Sequence, residues 1–149
     1  MNEQLDDTAL SQRFPWVRLD HDTKNLFRAW LDRRFVITRC DDCRRYHHPP
    51  KPVCPACWSS ALTLTPVSGR GTAHLVMLLH QGAPAPGVDY ENGPHPVVTV
   101  ELEEQENLRF TSTVVDCPPE DIRIGMPLEL VWIDRYGAPF PAFRPRENG

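Results

Sequence analysis

Cys40-Asp41-Asp42-Cys43 and Cys54-Pro55-Ala56-Cys57 are two Cys-x-x-Cys pairs, with ten residues between the inner cysteines. Each pair lets two thiolates point to one side of a tight turn. Two such knuckles facing each other place four sulfurs around a tetrahedral ion, the arrangement zinc takes in closed structural sites. All four ligands are thiolates, so no position is left for a catalytic water. The spacing predicts a metal at Cys40, Cys43, Cys54 and Cys57 that holds the fold and does no chemistry.

Two other uses of these cysteines fit less well. Paired disulfides need an oxidising compartment, whereas residues 1–7 are polar and lack a basic stretch leading into an apolar run. A redox Cys-x-x-Cys is expected as a single pair near a βαβ pattern, and no such pattern is seen. Zinc suits the site better than iron, although a rubredoxin-like site accepts iron in an overexpressing host. Zinc at such peptides contributes roughly 10–16 kcal/mol, enough to order a segment with almost no apolar core. Prolines 49, 50, 52 and 55 stiffen the turn between the knuckles.

Moving outward, residues 1–20 read as irregular, with Phe14, Pro15 and Trp16 as anchors of an arm. Residues 22–34 read as a helix: Asp22 or Thr23 caps it, Leu26, Phe27, Trp30 and Leu31 share a face, and Arg33 and Arg34 sit at its negative end. Strands are expected at 35–39 and 62–67 on either side of the knuckles. Beyond them, 72–79 is a nearly continuous apolar run, the pattern of a strand buried on both faces. Residues 97–103 alternate with Val98, Val100 and Leu102 on one side, and 108–115 with Leu108, Phe110 and Val114. A hairpin turn at 104–107 joins them. Residues 118–121 form a helical turn, and 128–133 the last strand, with Leu128, Leu130 and Trp132 inward. The expected fold is mainly β: an N-terminal arm and helix (1–34), a zinc ribbon (35–67), then a small OB-fold barrel with a tail (68–149). The connection 80–96, with Gly82, Pro84, Pro86 and Gly87, is long for so small a domain and reads as a functional loop.

The chain of 149 residues carries a formal charge of −4, which disfavours a protein whose work is gripping phosphate backbones. Its basic residues are nearly all Arg; Lys24 and Lys51 are the exceptions, and six of the sixteen lie between Arg33 and Lys51. That patch keeps a nucleic-acid-binding module as an alternative. No apolar run approaches the roughly 20 residues needed to span a bilayer, so no membrane partner is expected; the expected location is the cytoplasm of a cell that keeps thiols reduced.

Several runs together carry a resemblance. They are Arg39-Cys40-x-x-Cys43-x-x-Tyr46, Pro49-Pro50-Lys51-Pro52-Val53-Cys54-Pro55-x-Cys57, Pro66-Val67-Ser68-Gly69-Arg70-Gly71-Thr72, Ile124-Gly125-Met126-Pro127-Leu128 and Ala142-Phe143-Arg144-Pro145. The chain resembles the acyl-CoA-associated family of rubredoxin-like zinc-ribbon/OB-fold proteins. That resemblance implies a small, non-catalytic accessory subunit beside a thiolase-fold enzyme, either a thiolase or a retro-aldolase of steroid side-chain breakdown. It implies two small subunits on a dimer of large ones, acyl-CoA as a shared ligand, and in some members a hotdog-fold hydratase partner. A self-sufficient acyl-CoA hydratase or hydrolase is the third reading. It would need a long central helix wrapped by a sheet, and the one helix expected here precedes the ribbon.

No catalytic residue is assigned. Cys117 reads as a packed thiol at a strand end. His47 and His48 are adjacent and point apart, and His74 reads as a barrel or surface histidine. Arg70, Arg109 and Arg123 by the barrel, with Arg44, Arg45 and Lys51 in the ribbon, are candidates for phosphate contact. Arg70, His80, Tyr90, Phe140 and Phe143 are the candidate ligand or partner contacts. Trp16, Phe27, Trp30, Trp58 and Tyr136 are further aromatics that a small barrel would not absorb.

Overall fold

The computed structural model describes residues 5–82 and 88–147. The knuckles hang from a three-stranded antiparallel sheet, β1 (Val36–Cys40), β2 (Tyr46–His47) and β3 (Leu62–Pro66), in the order β2-β1-β3. A second sheet runs β6-β5-β4-β7-β8, from β4 (Arg70–Leu79), β5 (His95–Leu102), β6 (Arg109–Ser112), β7 (Pro127–Arg135) and β8 (Ala138–Pro145). It curls until Val114 bridges Phe143 in parallel, closing an OB-type barrel. The expected mainly β fold is what forms, with an N-terminal helix, a ribbon and a barrel.

The N-terminal region differs from its irregular reading. Residues Asp7–Arg13 form helix α1, capped by Asp6, whose side chain accepts from the Ala9 N–H at 2.8 Å. One buried residue, Leu10, gives too short a run to show helical periodicity. The second helix, α2, is Lys24–Leu31, shorter than the expected 22–34. Thr23 makes no side-chain cap bond; the Asp20 carboxylate instead accepts from the Asp22 and Thr23 amides and the Thr23 hydroxyl. The chain then leaves the helix at Arg33, whose φ of 53° takes it into the left-handed region.

Both helices close over the barrel, and aromatic rings fill the junction. Phe35 at the start of the ribbon packs edge-on against Phe110 of β6 at 5.0 Å, and Phe143 of β8 at 6.2 Å. Trp30 of α2 meets Phe110 at 6.4 Å and Phe140 at 5.8 Å. Phe14, Trp30, Val36, Ile37, Val98, Val100, Leu102, Leu128 and Phe143 are buried together, so ribbon, helices and barrel share one core. Burying each large side chain contributes about 2–3 kcal/mol. Two expectations are corrected here. Trp30 is spent in the core, and Phe143 is fully buried inside its own chain, so it presents no surface to a partner.

Strand β5 alternates as expected, with Val98, Val100 and Leu102 inward, and Asn107 with φ 66° turns the chain into β6. At its start β4 lies so close to β5 that a Cβ on Gly71 would stand 2.3 Å from the Glu101 carbonyl oxygen. Strand β8 was not expected, because Pro139, Pro141 and Pro145 argue against a strand. It pairs with β7 along its whole length, from Leu128–Pro145 to Arg135–Ala138. On its other side, among the described residues, Phe143 is bonded to Thr113 and Val115 and the Pro141 carbonyl accepts from the Ser112 hydroxyl; no proline nitrogen is called on, so prolines that cannot donate are tolerated there.

Besides the shared core, one side chain ties ribbon to barrel by a pair of hydrogen bonds. The Gln105 amide, in the β5–β6 turn, accepts from the Tyr46 N–H at 2.9 Å and donates to the Tyr46 carbonyl at 3.0 Å.

The expectation for β4 fails in an informative way. It is not buried on both faces: Ala73 is 1% exposed, but Leu75 is 51% and Met77 48% exposed. Strand β4 pairs with β7 only from Arg70 to Thr72, whereas its pairing with β5 reaches Leu79. Among the described residues, the edge beyond the irregularity at Ala73–Leu75 is therefore unpaired on the β7 side.

Candidate metal centre and neighbouring surfaces

The two knuckles are built alike. In the first, the Arg44 N–H donates to the Cys40 carbonyl and the Cys40 N–H to the Arg45 carbonyl, both at 2.9 Å. In the second, Trp58 N–H donates to the Cys54 carbonyl at 2.9 Å and Cys54 N–H to the Ser59 carbonyl at 2.8 Å. Arg44 and Trp58 occupy the same left-handed position, with φ 66° and 67°. This turn aims further amides at sulfur: Cys43 N–H at Cys40 Sγ, 3.5 Å, and Ala56 N–H at Cys54 Sγ, 3.4 Å.

Across the site Cys40 and Cys57 sulfurs are 3.6 Å apart, as are those of Cys43 and Cys54, and all four lie within 4.8 Å of one another. A tetrahedron with metal–sulfur bonds of about 2.3 Å spaces its sulfurs by about 3.8 Å. The four cysteines are thus positioned to bind one metal ion. The electrostatics agree. The Cys57 amide, first among several donors, holds the Cys54 thiol down to about 7. Cys57 is pulled down by the Ser59 amide but held up to about 12 by hydrogen bonds with the thiols of Cys40, Cys43 and Cys54. Four sulfurs this close ionise together only around a cation.

The expected contact residues do not converge. Arg70 is exposed and paired with Glu103 at 2.9 Å; Arg123 turns back to the carbonyls of Glu120 and Ile122. His80 is exposed just past β4. Tyr90 is half-buried, and its hydroxyl has no hydrogen-bond partner among the described residues. Phe140 is sandwiched between Trp30 and the Arg135 guanidinium, which stands 4.2 Å over its ring. Cys117 donates to the Pro118 carbonyl at 3.5 Å, and burial pushes its thiol up, the state of an unreactive cysteine. Part of the 80–96 loop, residues 83–87, lies outside the described residues.

Three further surface features stand out, and the sequence points to two of them only residue by residue: Trp58 as a surplus aromatic, and Arg45, Lys51 and Arg109 as phosphate contacts. Leu75 and Met77 face outward together on β4. Trp58, at the end of the second knuckle, is 80% exposed. Arg45, Lys51 and Arg109 line one cleft with His47, between the ribbon and the β5–β6 turn.

His48 packs on Phe110, ring centroids 4.9 Å apart. Burial first, then the charge of His47, pushes its imidazole down to about 4 from 6.5. The unfolded chain therefore takes up this proton first as the solution is acidified. The neutral ring costs nothing above about pH 6.5, and stability is lost as pH falls from there towards about 4, by about 2–3 kcal/mol. Thermal melts of metal-loaded protein should fall in Tm between about pH 7 and about pH 5, and His48→Gln should flatten that fall. Parallel profiles for the two proteins would remove His48 as the cause.

Two family models match successive stretches of the chain. The family model described as "ChsH2, rubredoxin-like zinc ribbon domain" matches residues 27–63, and "ChsH2, C-terminal OB-fold domain" matches 64–133. A probable enoyl-CoA hydratase alpha subunit from Thermomonospora curvata is 33% identical over 132 residues; the match covers 88% of this chain but only 40% of that protein. A DUF35 domain-containing scaffold protein from Methanocaldococcus jannaschii is 31% identical over 114 residues, covering 73% of this chain and 77% of its own length. Among solved structures, a chain of an Ltp2-ChsH2(DUF35) aldolase superposes with a TM-score of 0.77 at 33% identity, over 87% of this chain and 98% of that one. A DUF35-family protein of unknown function from Sulfolobus solfataricus gives 0.57 at 9% identity, over 94% and 95%, a likeness of fold alone.

Proposed function

This chain belongs to the ChsH2 (DUF35) family of rubredoxin-like zinc-ribbon/OB-fold proteins, and from that premise we propose that it is a non-catalytic accessory subunit of a thiolase-fold, acyl-CoA-processing enzyme. The ion at Cys40, Cys43, Cys54 and Cys57 is zinc and structural. The large subunit performs the carbon–carbon chemistry, as a thiolase or a retro-aldolase acting on a steroid side chain, and two small subunits sit on a dimer of large ones. A hydratase activity, if the assembly has one, belongs to a further component, since the hydratase relative extends far beyond the shared region.

The observation that carries this reading is the outer face of β4. Its sequence is apolar enough for burial on both sides, yet the described residues cover one side only and leave Leu75 and Met77 half exposed beside a strand edge that none of them pairs. A second protein supplies the missing cover. The nucleic-acid reading is less well served. Trp58 and Tyr136, the exposed large aromatics among the described residues, lie at a knuckle and at the β7–β8 turn, away from the barrel strands where bases would stack. Co-expression with the thiolase-fold subunit, followed by purification through a tag on this chain, should yield both proteins in equal amounts. The assembly should turn over acyl-CoA while this chain alone does not. Thioester turnover by this chain unaided, or its elution free of the large subunit, overturns the proposal.

A further inference from the structure

The cleft between the second knuckle and the β5–β6 turn has a volume of about 350 Å³, and it holds polar groups that the chain itself leaves unpaired. His47 lines it and is 9% exposed, yet neither ring nitrogen has a hydrogen-bond partner among the described residues. The Nδ1 of His48 is also buried without a partner. An unmade bond of this kind costs about 1–3 kcal/mol, so native chains keep few of them unless something else completes them.

Around His47 stand three cations. Arg45 and Lys51 make no ion pair among the described residues. Arg109 is engaged only loosely, 3.9 Å from Glu101 and 3.2 Å from the Asn107 side chain. Glu106 is the one carboxylate lining the cleft. Cys54 lies at its inner wall, and a divalent ion held by four thiolates leaves a formal charge of −2 there. Balancing that charge is one use for the cations, but it leaves His47 unsatisfied. A ligand that enters the cleft with acceptor oxygens meets both needs.

Burial and the nearby Lys51 favour the neutral imidazole, which offers one N–H and one lone pair. Its complement is a group carrying both an anionic acceptor and a hydroxyl donor. We infer that the ribbon–barrel cleft is a binding site for a phosphorylated sugar, with the phosphate among Arg45, Lys51 and Arg109 and a hydroxyl against His47. The site stands on these contacts alone. Naming its ligand as the phosphoribose end of an acyl-CoA rests on the accessory-subunit reading.

The test uses the metal-loaded full chain and adenosine 3′,5′-bisphosphate, followed by calorimetry and by imidazole nitrogen spectra. Binding should shift the His47 ring nitrogens and weaken as salt is raised. Lys51→Gln and Arg45→Gln change exposed side chains and should each raise Kd roughly tenfold or more, whereas Glu106→Gln should bind at least as tightly. His47→Asn, checked for retained metal, should weaken binding too. Competition by coenzyme A supports the acyl-CoA source. No His47 shift at millimolar ligand, or equal affinity in the Lys51 and Arg45 variants, overturns the site. So does single-stranded RNA that binds more tightly and is not displaced by the bisphosphate. A failed co-purification with the large subunit would leave a positive result here untouched, which separates the two proposals.

Discussion

Chelating the metal, or replacing one ligand as in Cys54→Ser, is expected to unfold residues 41–61 and to destabilise everything packed on them. Between residues 41 and 63 the only buried side chains are His47 and Cys54. The segment therefore has no apolar core, and its knuckles are held by the ion and a few backbone hydrogen bonds. An ion worth roughly 10–16 kcal/mol exceeds or matches the entire stability of an ordinary domain, about 5–15 kcal/mol. The loss propagates, because β1 carries Val36 and Ile37 of the shared core into the ligand Cys40. Metal analysis should give one zinc per chain in the native protein and none in Cys54→Ser. Amide exchange should lose its protection across 41–61, and exposed Trp58 should report the change in fluorescence. An unchanged melt after complete chelation would show that the ion is dispensable.

The second large effect is expected at the partner. Leu75→Asp with Met77→Asp should weaken association with the proposed thiolase-fold partner by about 100-fold or more, because two apolar anchors are lost and two charges must be desolvated. Both side chains are about half exposed in this chain, so its own melt should shift little. That separation distinguishes docking from folding, and co-elution with metal-loaded double variant reads it directly. A double variant that still co-elutes at native stoichiometry places the interface elsewhere on the chain. The Trp58 and Val53 surface beside the second knuckle would then be next to examine.

Much of this architecture is legible in the sequence, and the failures have physical causes. Cysteine spacing reports on local turns and one ion, with no need of distant contacts, so the ligand set can be read directly. Strand β5 and the β5–β6 hairpin are visible because burial alternates along β5 and the turn between the strands is polar. Strand β4 misleads because its composition is suited to a surface that a second protein would cover. Strand β8 is hidden by Pro139, Pro141 and Pro145, whose cost disappears where their nitrogens face no acceptor. Phe143 and Trp30 look surplus to a small barrel, since the count of aromatics does not reveal that helices and ribbon pool their rings with it. The left-handed turns at Arg44 and Trp58 carry no glycine to announce them. The His47 cleft is illegible for another reason: it joins residues 45–56 to 105–109, two segments that meet only once the ribbon is seated on the barrel.

That seating has a mechanical result. The Gln105 carboxamide meets both polar groups of Tyr46 and thereby imitates one rung of a ladder between two pieces that share no sheet. Together with Phe35 wedged against Phe110 and Phe143, it makes the molecule a stiff bracket with its angle preset. A larger body resting on both arms finds them already oriented, and none of the contact energy is diverted into freezing a hinge.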